Sequence, residues 1–252
     1  MGSPLSDRAR KGTLYLIPVT LGGNDALSSL SPAVLEITRG LETFIAEEPK
    51  SARRFLKAVA HPRPIQELRI HTLNEHSDAD AVASALAPLL SGEDCGLMSE
   101  AGCPAVADPG GELVRRAHEA GVRVVPLVGP SSIMLALMAS GMNGQRFTFH
   151  GYLPADRGGR ERALKELDAR SQRETQIFIE TPYRASAMLQ SVLDSCRDDT
   201  SLCVAADLTL SRELVATRAI AEWKKMPPDL DRRLVVFLLW RDRAAARGLT
   251  AR

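Results

Sequence analysis

The sequence lacks the signatures of the common cofactor and nucleophile scaffolds. No two of its 18 glycines lie two positions apart, so G-x-G-x-x-G is absent, and with it the dinucleotide-binding turn of nicotinamide and flavin proteins. No G-x-x-x-x-G-K-S/T occurs, which removes P-loop chemistry, and no G-x-S-x-G elbow, which argues against a serine hydrolase. No apolar run reaches 18 residues, so no membrane partner is expected. The four cysteines (Cys95, Cys103, Cys196, Cys203) form no C-x-x-C pair, and no secretory apolar stretch opens the chain. They read as free thiols of a reducing, cytoplasmic setting. No metal site is expected: His71 and His76 flank Glu75, but a five-residue spacing does not put two histidines on one helical face, and a polar loop is the plainer reading. Net charge is nearly absent too. Lys plus Arg (32) against Asp plus Glu (31) leaves +1, so the chain is neither a polycation nor an acidic tail protein.

What is present is ordinary globular usage, with 44% apolar and 25% charged residues over 252 positions, a length that suits two small domains. Charge is split unevenly. Residues 1–128 carry 13 basic and 16 acidic side chains, and 129–252 carry 19 and 15. Short apolar runs alternate with helical patterns. Leu14–Pro18, Phe44–Ala46, Cys95–Ser99 and Val122–Leu127 read as strands; helices are predicted from Ser31-Pro32, from a Ser51 cap, from a Ser77-x-x-Asp80 cap to about Leu90, and over Glu112–Ala120. The second half reads as a methionine-rich helix over Ser131–Ser140, then strands near 146–151, 176–180, 202–207, 212–217 and 234–240. Charged and apolar helices fall at 160–171 and 185–196. The expected class is α/β, with a mainly parallel N-terminal sheet and a mixed C-terminal sheet. The expected divisions are a flexible tail (1–12), an N-terminal α/β domain (13–128), a C-terminal α/β domain (129–240) and a second flexible tail (241–252), with a ligand cleft between the domains.

Three loops have compositions that packing alone does not require. They are Ile17 to Gly23, Ser99 to Gly111, and Pro126 to Ser132. Each follows an apolar strand and is rich in Gly, Pro and small residues, which expose main-chain groups and allow close approach of a ligand. A single such loop is a tight turn; three at equivalent positions mark a binding edge.

These loops, together with Ala46-Glu47-Glu48, Leu73-Asn74-Glu75-His76, Phe149-His150-Gly151-Tyr152-Leu153-Pro154 and Glu180-Thr181-Pro182-Tyr183-Arg184, run in an order that resembles the tetrapyrrole methylase superfamily. Within it the resemblance is to the branch of ribosomal RNA small-subunit cytidine 2′-O-methyltransferases. The most specific element is S-E-A-G-C-P-A-V-A-D-P-G at 99–110, close to the branch pattern S-D-A-G-T-P-G-I-S-D-P-G. The resemblance implies two α/β domains, a homodimer, S-adenosylmethionine as cofactor, and ribosomal RNA or the small ribosomal subunit as substrate. It implies cofactor contacts from Pro18, Glu100, Ala101, Gly102, Cys103, Val106, Ser131, Ser132, Glu180 and Thr181. A ribose hydroxyl is a poor nucleophile, and Glu48 and His76 are the candidate catalytic bases. Lys50, Arg54, Glu75 and Arg184 are the candidate substrate contacts, the cations for phosphate.

The chain also departs from the branch. Val19-Thr20-Leu21-Gly22-Gly23-Asn24 stands for P-I-G-N-L, Glu47-Glu48-Pro49-Lys50 for E-D-T-R, Tyr183 for the histidine of E-A-P-H-R, and Asp207-Leu208-Thr209-Leu210-Ser211-Arg212-Glu213 for E-L-T-K-x-x-E. The cofactor loops are kept better than the substrate face. Two other functions therefore stay open: methylation of a tetrapyrrole or other small molecule, and a cofactor-binding module without catalysis.

Overall fold

The computed structural model describes residues 10–23, 26–74 and 76–241. The chain divides between Ser131 and Ser132 into two compact units, a few residues after the expected boundary. Of the two expected tails, 1–9 and 242–252 lie outside the described residues. The stretches beside them are docked: the Gly12 N–H donates to the Leu89 carbonyl at 2.8 Å, and the Arg241 N–H to the Ser171 carbonyl at 3.1 Å.

The first unit contains β1 (Thr13–Ile17), α1 (Ala26–Ser29), α2 (Pro32–Gly40), β2 (Thr43–Ala46), α3 (Pro49–Ala58), a 3-10 turn at Ile65–Glu67, β3 (Arg69–Thr72), α4 (Ala79–Leu90), β4 (Cys95–Met98), α5 (Gly110–Glu119) and β5 (Arg123–Pro126). Its sheet has the order β3-β2-β4-β1-β5, with every pair parallel. All five carboxyl ends therefore share one edge. The sheet is covered on both faces, and successive strand residues feed opposite cores: Phe44 and Ala46 pack with Val34, Phe55 and Leu56, while Ile45 packs with Val82, Leu89 and Leu113. The chain leaves β1 toward β2 and leaves β4 toward β5, in opposite directions along the sheet. The gap between these neighbouring strands is a topological switch point, where open α/β sheets bind ligands.

Two caps differ from expectation. Ser51 lies inside α3; the cap is Glu48, whose Oε1 accepts the Lys50 N–H at 2.9 Å, because Pro49 fixes the first helical residue. The α4 cap is Asp78, whose Oδ1 accepts the Ala81 N–H at 2.9 Å, while Ser77 Oγ accepts the Asn74 N–H at 2.9 Å. Strand β3 is not marked in the sequence because Arg-Ile-His-Thr is a short, half-exposed edge without an apolar run.

The second unit contains α6 (Ser132–Ser140), β6 (Phe147–Tyr152), α7 (Arg157–Arg170), β7 (Thr175–Glu180), α8 (Ala185–Ser195), β8 (Ser201–Ala206), β9 (Leu214–Ala219), α9 (Ile220–Trp223) and β10 (Val235–Trp240). Its order is β6-β7-β10-β8-β9, parallel only between β6 and β7. The apolar β10 lies in the middle, where Phe237 stacks on Phe178 with ring centroids 5.3 Å apart. Helices α7 and α8 bury Leu164, Leu167, Met188 and Val192 in the same core.

The loop after β4 is held in an uncommon backbone shape. Ala105 and Ala107 sit at φ 65° and 59°, in the left-handed region where a Cβ is disfavoured. In the branch pattern the first of these positions is glycine. Gly129, after β5, passes so close to β1 that an added Cβ would fall 2.2 Å from Pro18 Cγ. Ala105→Gly is expected to raise stability by about 1 kcal/mol, and Gly129→Ala to lower it by about 1–3 kcal/mol, both read from the midpoint of urea unfolding. An unchanged midpoint in Ala105→Gly would show that the loop carries no strain at that residue.

Candidate functional site

The three loops singled out in the sequence do follow β1, β4 and β5, and they are fastened to one another. Val19 and Gly102 form an isolated antiparallel bridge, with the Val19 N–H donating to the Gly102 carbonyl at 2.9 Å and the Gly102 N–H returning to the Val19 carbonyl at 3.2 Å. Gly102 adopts φ 73°, which a side chain would resist, and its missing Cβ leaves room beside Leu21 Cδ2 and the Pro130 carbonyl. Cys103 Sγ reaches that same Pro130 carbonyl at 3.5 Å. Burial pushes the Cys103 thiol above its ordinary pKa, which disfavours the thiolate a nucleophile needs. The close approach of Gly129 to Pro18 completes the triangle.

The same fastening limits what some expected cofactor contacts can do. The Gly102 N–H is taken by Val19 and its carbonyl already accepts one bond, so this glycine offers close approach and no free donor. Val106 is 48% exposed and Pro18 buried. Ser131 ends the first unit and Ser132 begins α6 in the second.

A solvent-open pocket of about 190 Å³ lies at the β1–β4 switch point. Val19, Ala52, Phe55 and Met98 form its apolar side, and Thr20, Ser51, Arg54, Ser99 and Glu100 its polar side. Arg54 and Glu100 were expected at a site. Thr20 and Ser99 lie in loops read as a binding edge, whereas Ser51 and Phe55 were not expected there, since only the order β2-β4-β1 brings the start of α3 against the other two loops. Glu48 and Glu100 each stand two residues past the paired positions Ala46 and Met98, on adjacent loops. Glu48 and Lys50 are exposed at the start of α3. His76 is exposed after β3, the neighbour of β2, with its backbone N–H donating to Asn74 Oδ1 at 3.0 Å. Glu75 lies outside the described residues.

Charge narrows the kind of group this edge accepts. The stretches Pro18–Gly23, Ser99–Pro109 and Leu127–Ser131 contain two carboxylates, Glu100 and Asp108, and no Lys or Arg. Such a set suits a cation and repels a polyphosphate. Asp108 Oδ1 accepts the Gly110 N–H at 2.7 Å at the start of α5. Its Oδ2 is the buried side-chain oxygen without a hydrogen bond among the described residues. Burial raises the Asp108 pKa, while the N–H groups of Gly110, Ala105 and Val106 pull it down. Among the described residues, no group of three or more His, Cys, Asp and Glu side chains is placed to hold a metal ion, and no helix is long and apolar enough to cross a membrane.

In the second unit, Glu180 ends β7 with its side chain 1% exposed. Its Oε1 accepts the Thr181 N–H at 2.7 Å and Arg184 Nε at 2.9 Å, with Arg184 Nη2 at 2.7 Å. An expected cofactor contact and an expected substrate contact are thus paired with each other.

Comparison with known proteins gives the same frame. Residues 13–223 match the family described as Tetrapyrrole (Corrin/Porphyrin) Methylases. The chain is 36% identical over 210 residues to the "Ribosomal RNA small subunit methyltransferase I" of Xylella fastidiosa, covering 83% of this chain and 73% of that one. It is 31% identical over 212 residues to the protein of the same name from Escherichia coli O157:H7, covering 84% and 71%. Among solved structures it is similar in fold to the methyltransferase CobJ (TM-score 0.60, 16% identity, 92% of this chain and 99% of that chain). The uroporphyrin-III-C-methyltransferase of Thermus thermophilus is also similar (TM-score 0.55, 16% identity, 96% and 97%). A parallel sheet with its loops interlocked at the switch point, a mixed second sheet, and a family match across most of the sequence agree: this chain belongs to the tetrapyrrole methylase family.

Proposed function

We propose that the chain is an S-adenosylmethionine-dependent methyltransferase that modifies a ribose 2′-hydroxyl of small-subunit ribosomal RNA, acting in the cytoplasm as a homodimer. The observation that carries the reading is the name shared by relatives 31–36% identical over four-fifths of this chain, joined to three loops that hold two carboxylates and no Lys or Arg of their own. That edge fits the cofactor, a sulfonium cation with an amino-acid group, a ribose and an adenine. It offers small residues, main-chain groups, hydroxyls and the exposed Glu100, with no Lys or Arg of its own. When bound, S-adenosylmethionine supplies an electrophilic methyl group.

The protein's task is then alignment and proton removal. Pro18, Ala101, Gly102, Cys103 and Val106 provide walls, and Ser131, Ser132 and Thr181 provide hydroxyls for the polar parts of the cofactor. Glu180 acts through Thr181 and Arg184, which it holds. The acceptor hydroxyl must lose its proton as the new O–C bond forms and the C–S bond breaks. Glu48 or His76, beyond the ends of the neighbouring strands β2 and β3, takes that proton. Lys50, Arg54 and Arg184 hold phosphates, with Glu75 as a further contact to the RNA.

Tritiated methyl transfer to small ribosomal subunits from cells lacking this protein tests the reading. Label is expected in RNA and in alkali-resistant dinucleotides, because a 2′-O-methyl group removes the hydroxyl that cleaves the neighbouring phosphodiester. Cofactor binding with no label in RNA would defeat the assignment of substrate. Glu48→Asn keeps a helix cap while removing the carboxylate. It, or His76→Ala, is expected to lower turnover about 10²–10⁴-fold with cofactor affinity unchanged in calorimetry. Wild-type turnover in both variants would remove proton transfer from these residues.

A further inference from the structure

One edge of the second unit's sheet gathers aromatic rings and, beside the Arg184 already assigned to phosphate, further guanidinium groups that the reaction above does not use. Register defines the edge: Tyr152 lies beside Ile179, Glu180 beside Val235, and Val235 beside Ala206. The loops that leave β6, β7 and β8 therefore emerge side by side. Tyr183, in the loop after β7, is 86% exposed, and Tyr152, the last residue of β6, is 52% exposed. Large aromatic surface left in water at one place marks a contact surface more often than a packing remnant.

The arginines at this edge are fixed from below. Glu180, buried at the end of β7, holds Arg184, which stays 38% exposed. Asp207, fully buried just past β8, holds Arg212 Nε at 2.9 Å and Arg233 Nε at 2.7 Å, while 62% of the Arg212 side chain remains in solvent. Its Oδ1 also accepts the Leu234 N–H at 3.2 Å. Burying a carboxylate costs desolvation free energy that one surface arginine seldom returns. Two such carboxylates on one edge make sense when their product is a set of guanidiniums held in fixed orientation. Asp207 serves two arginines, and Arg212 is the one left mostly in solvent.

We propose that this edge is a stacking platform for single-stranded RNA, with Tyr183 lying against an unstacked base and Arg184 and Arg212 holding the phosphates on either side. The inference rests on the RNA reading given above. Phosphate is matched by planar, pre-oriented guanidinium groups, and an exposed phenol ring accepts any base by its π-face. The departure of Tyr183 from the branch histidine keeps an aromatic ring at the same place and enlarges it.

The test is binding of the full-length protein to a fluorescein-labelled single-stranded RNA oligonucleotide, followed by anisotropy at several salt concentrations. Tyr183→Ala is expected to weaken binding about 5–150-fold, the loss of one stacked base, whereas Tyr183→Phe retains it. Tyr183→Trp is expected to bind at least as tightly, with RNA-dependent quenching of the added indole emission. Arg212→Gln is expected to flatten the salt dependence by about one phosphate contact. Wild-type affinity in Tyr183→Ala overturns the platform while leaving the RNA reading intact. Equal losses in Tyr183→Phe and Tyr183→Ala also overturn it, by assigning the effect to the hydroxyl. Failure of the wild-type protein to bind the oligonucleotide overturns the platform, while methyl transfer to small subunits, read separately, decides the RNA reading.

Discussion

The bridge between Val19 and Gly102 is the contact on which the candidate site depends. Parallel strands deliver loops to one edge without specifying how those loops meet. Here two reciprocal N–H···O=C bonds join the loop after β1 to the loop after β4, across the switch point where a ligand is expected. Gly102 can make both bonds only because its backbone turns into the left-handed region. The Cys103 contact to Pro130 and the close packing of Gly129 on Pro18 extend that join to the third loop. The result is an edge whose walls are set before any ligand arrives, which is where alignment in a methyl transfer would come from.

Electrostatics divides the work between the two units. In the first, the loop edge carries acids without bases, and Asp108 remains partly unsatisfied inside it. In the second, buried Glu180 and Asp207 are fully engaged with arginines. One arrangement is open to a cation; the other presents cations outward. A chain with a net charge of +1 thus has strongly polar local surfaces, and whole-chain arithmetic conceals both.

Much of this was legible in the sequence, and for specific reasons. The apolar runs Leu14–Ile17, Phe44–Ala46 and Cys95–Met98 are buried on both faces, so composition alone identifies them as interior strands. The three loops announce themselves by Gly and Pro. Strand β3 does not, because an edge strand needs no apolar run, and the α3 cap was misplaced because proline outranked serine in setting the helix start. The pocket residues Ser51 and Phe55 were invisible for a different reason: strand order, which sequence patterns do not encode, is what brings them to the loops. The Glu180–Arg184 pair was not legible either: Glu180 ends β7 and Arg184 precedes α8, and the turn between them, closed by the Arg184 N–H on the Thr181 carbonyl, is what brings the two side chains together.

The order β3-β2-β4-β1-β5 also has a consequence for how the chain is made. Strand β1 is near the middle of its sheet, but its partners are β4 and β5, and the nearer of these begins about eighty residues later. At ribosomal elongation rates, Leu14 and Ile17 wait roughly 4 to 16 seconds for the strand that will cover them. During that interval β2 and β3 can pair with each other, while β1 remains an unmatched apolar segment within reach of chaperones or of other nascent chains. The strand that positions the first loop of the site is synthesised first and seated late.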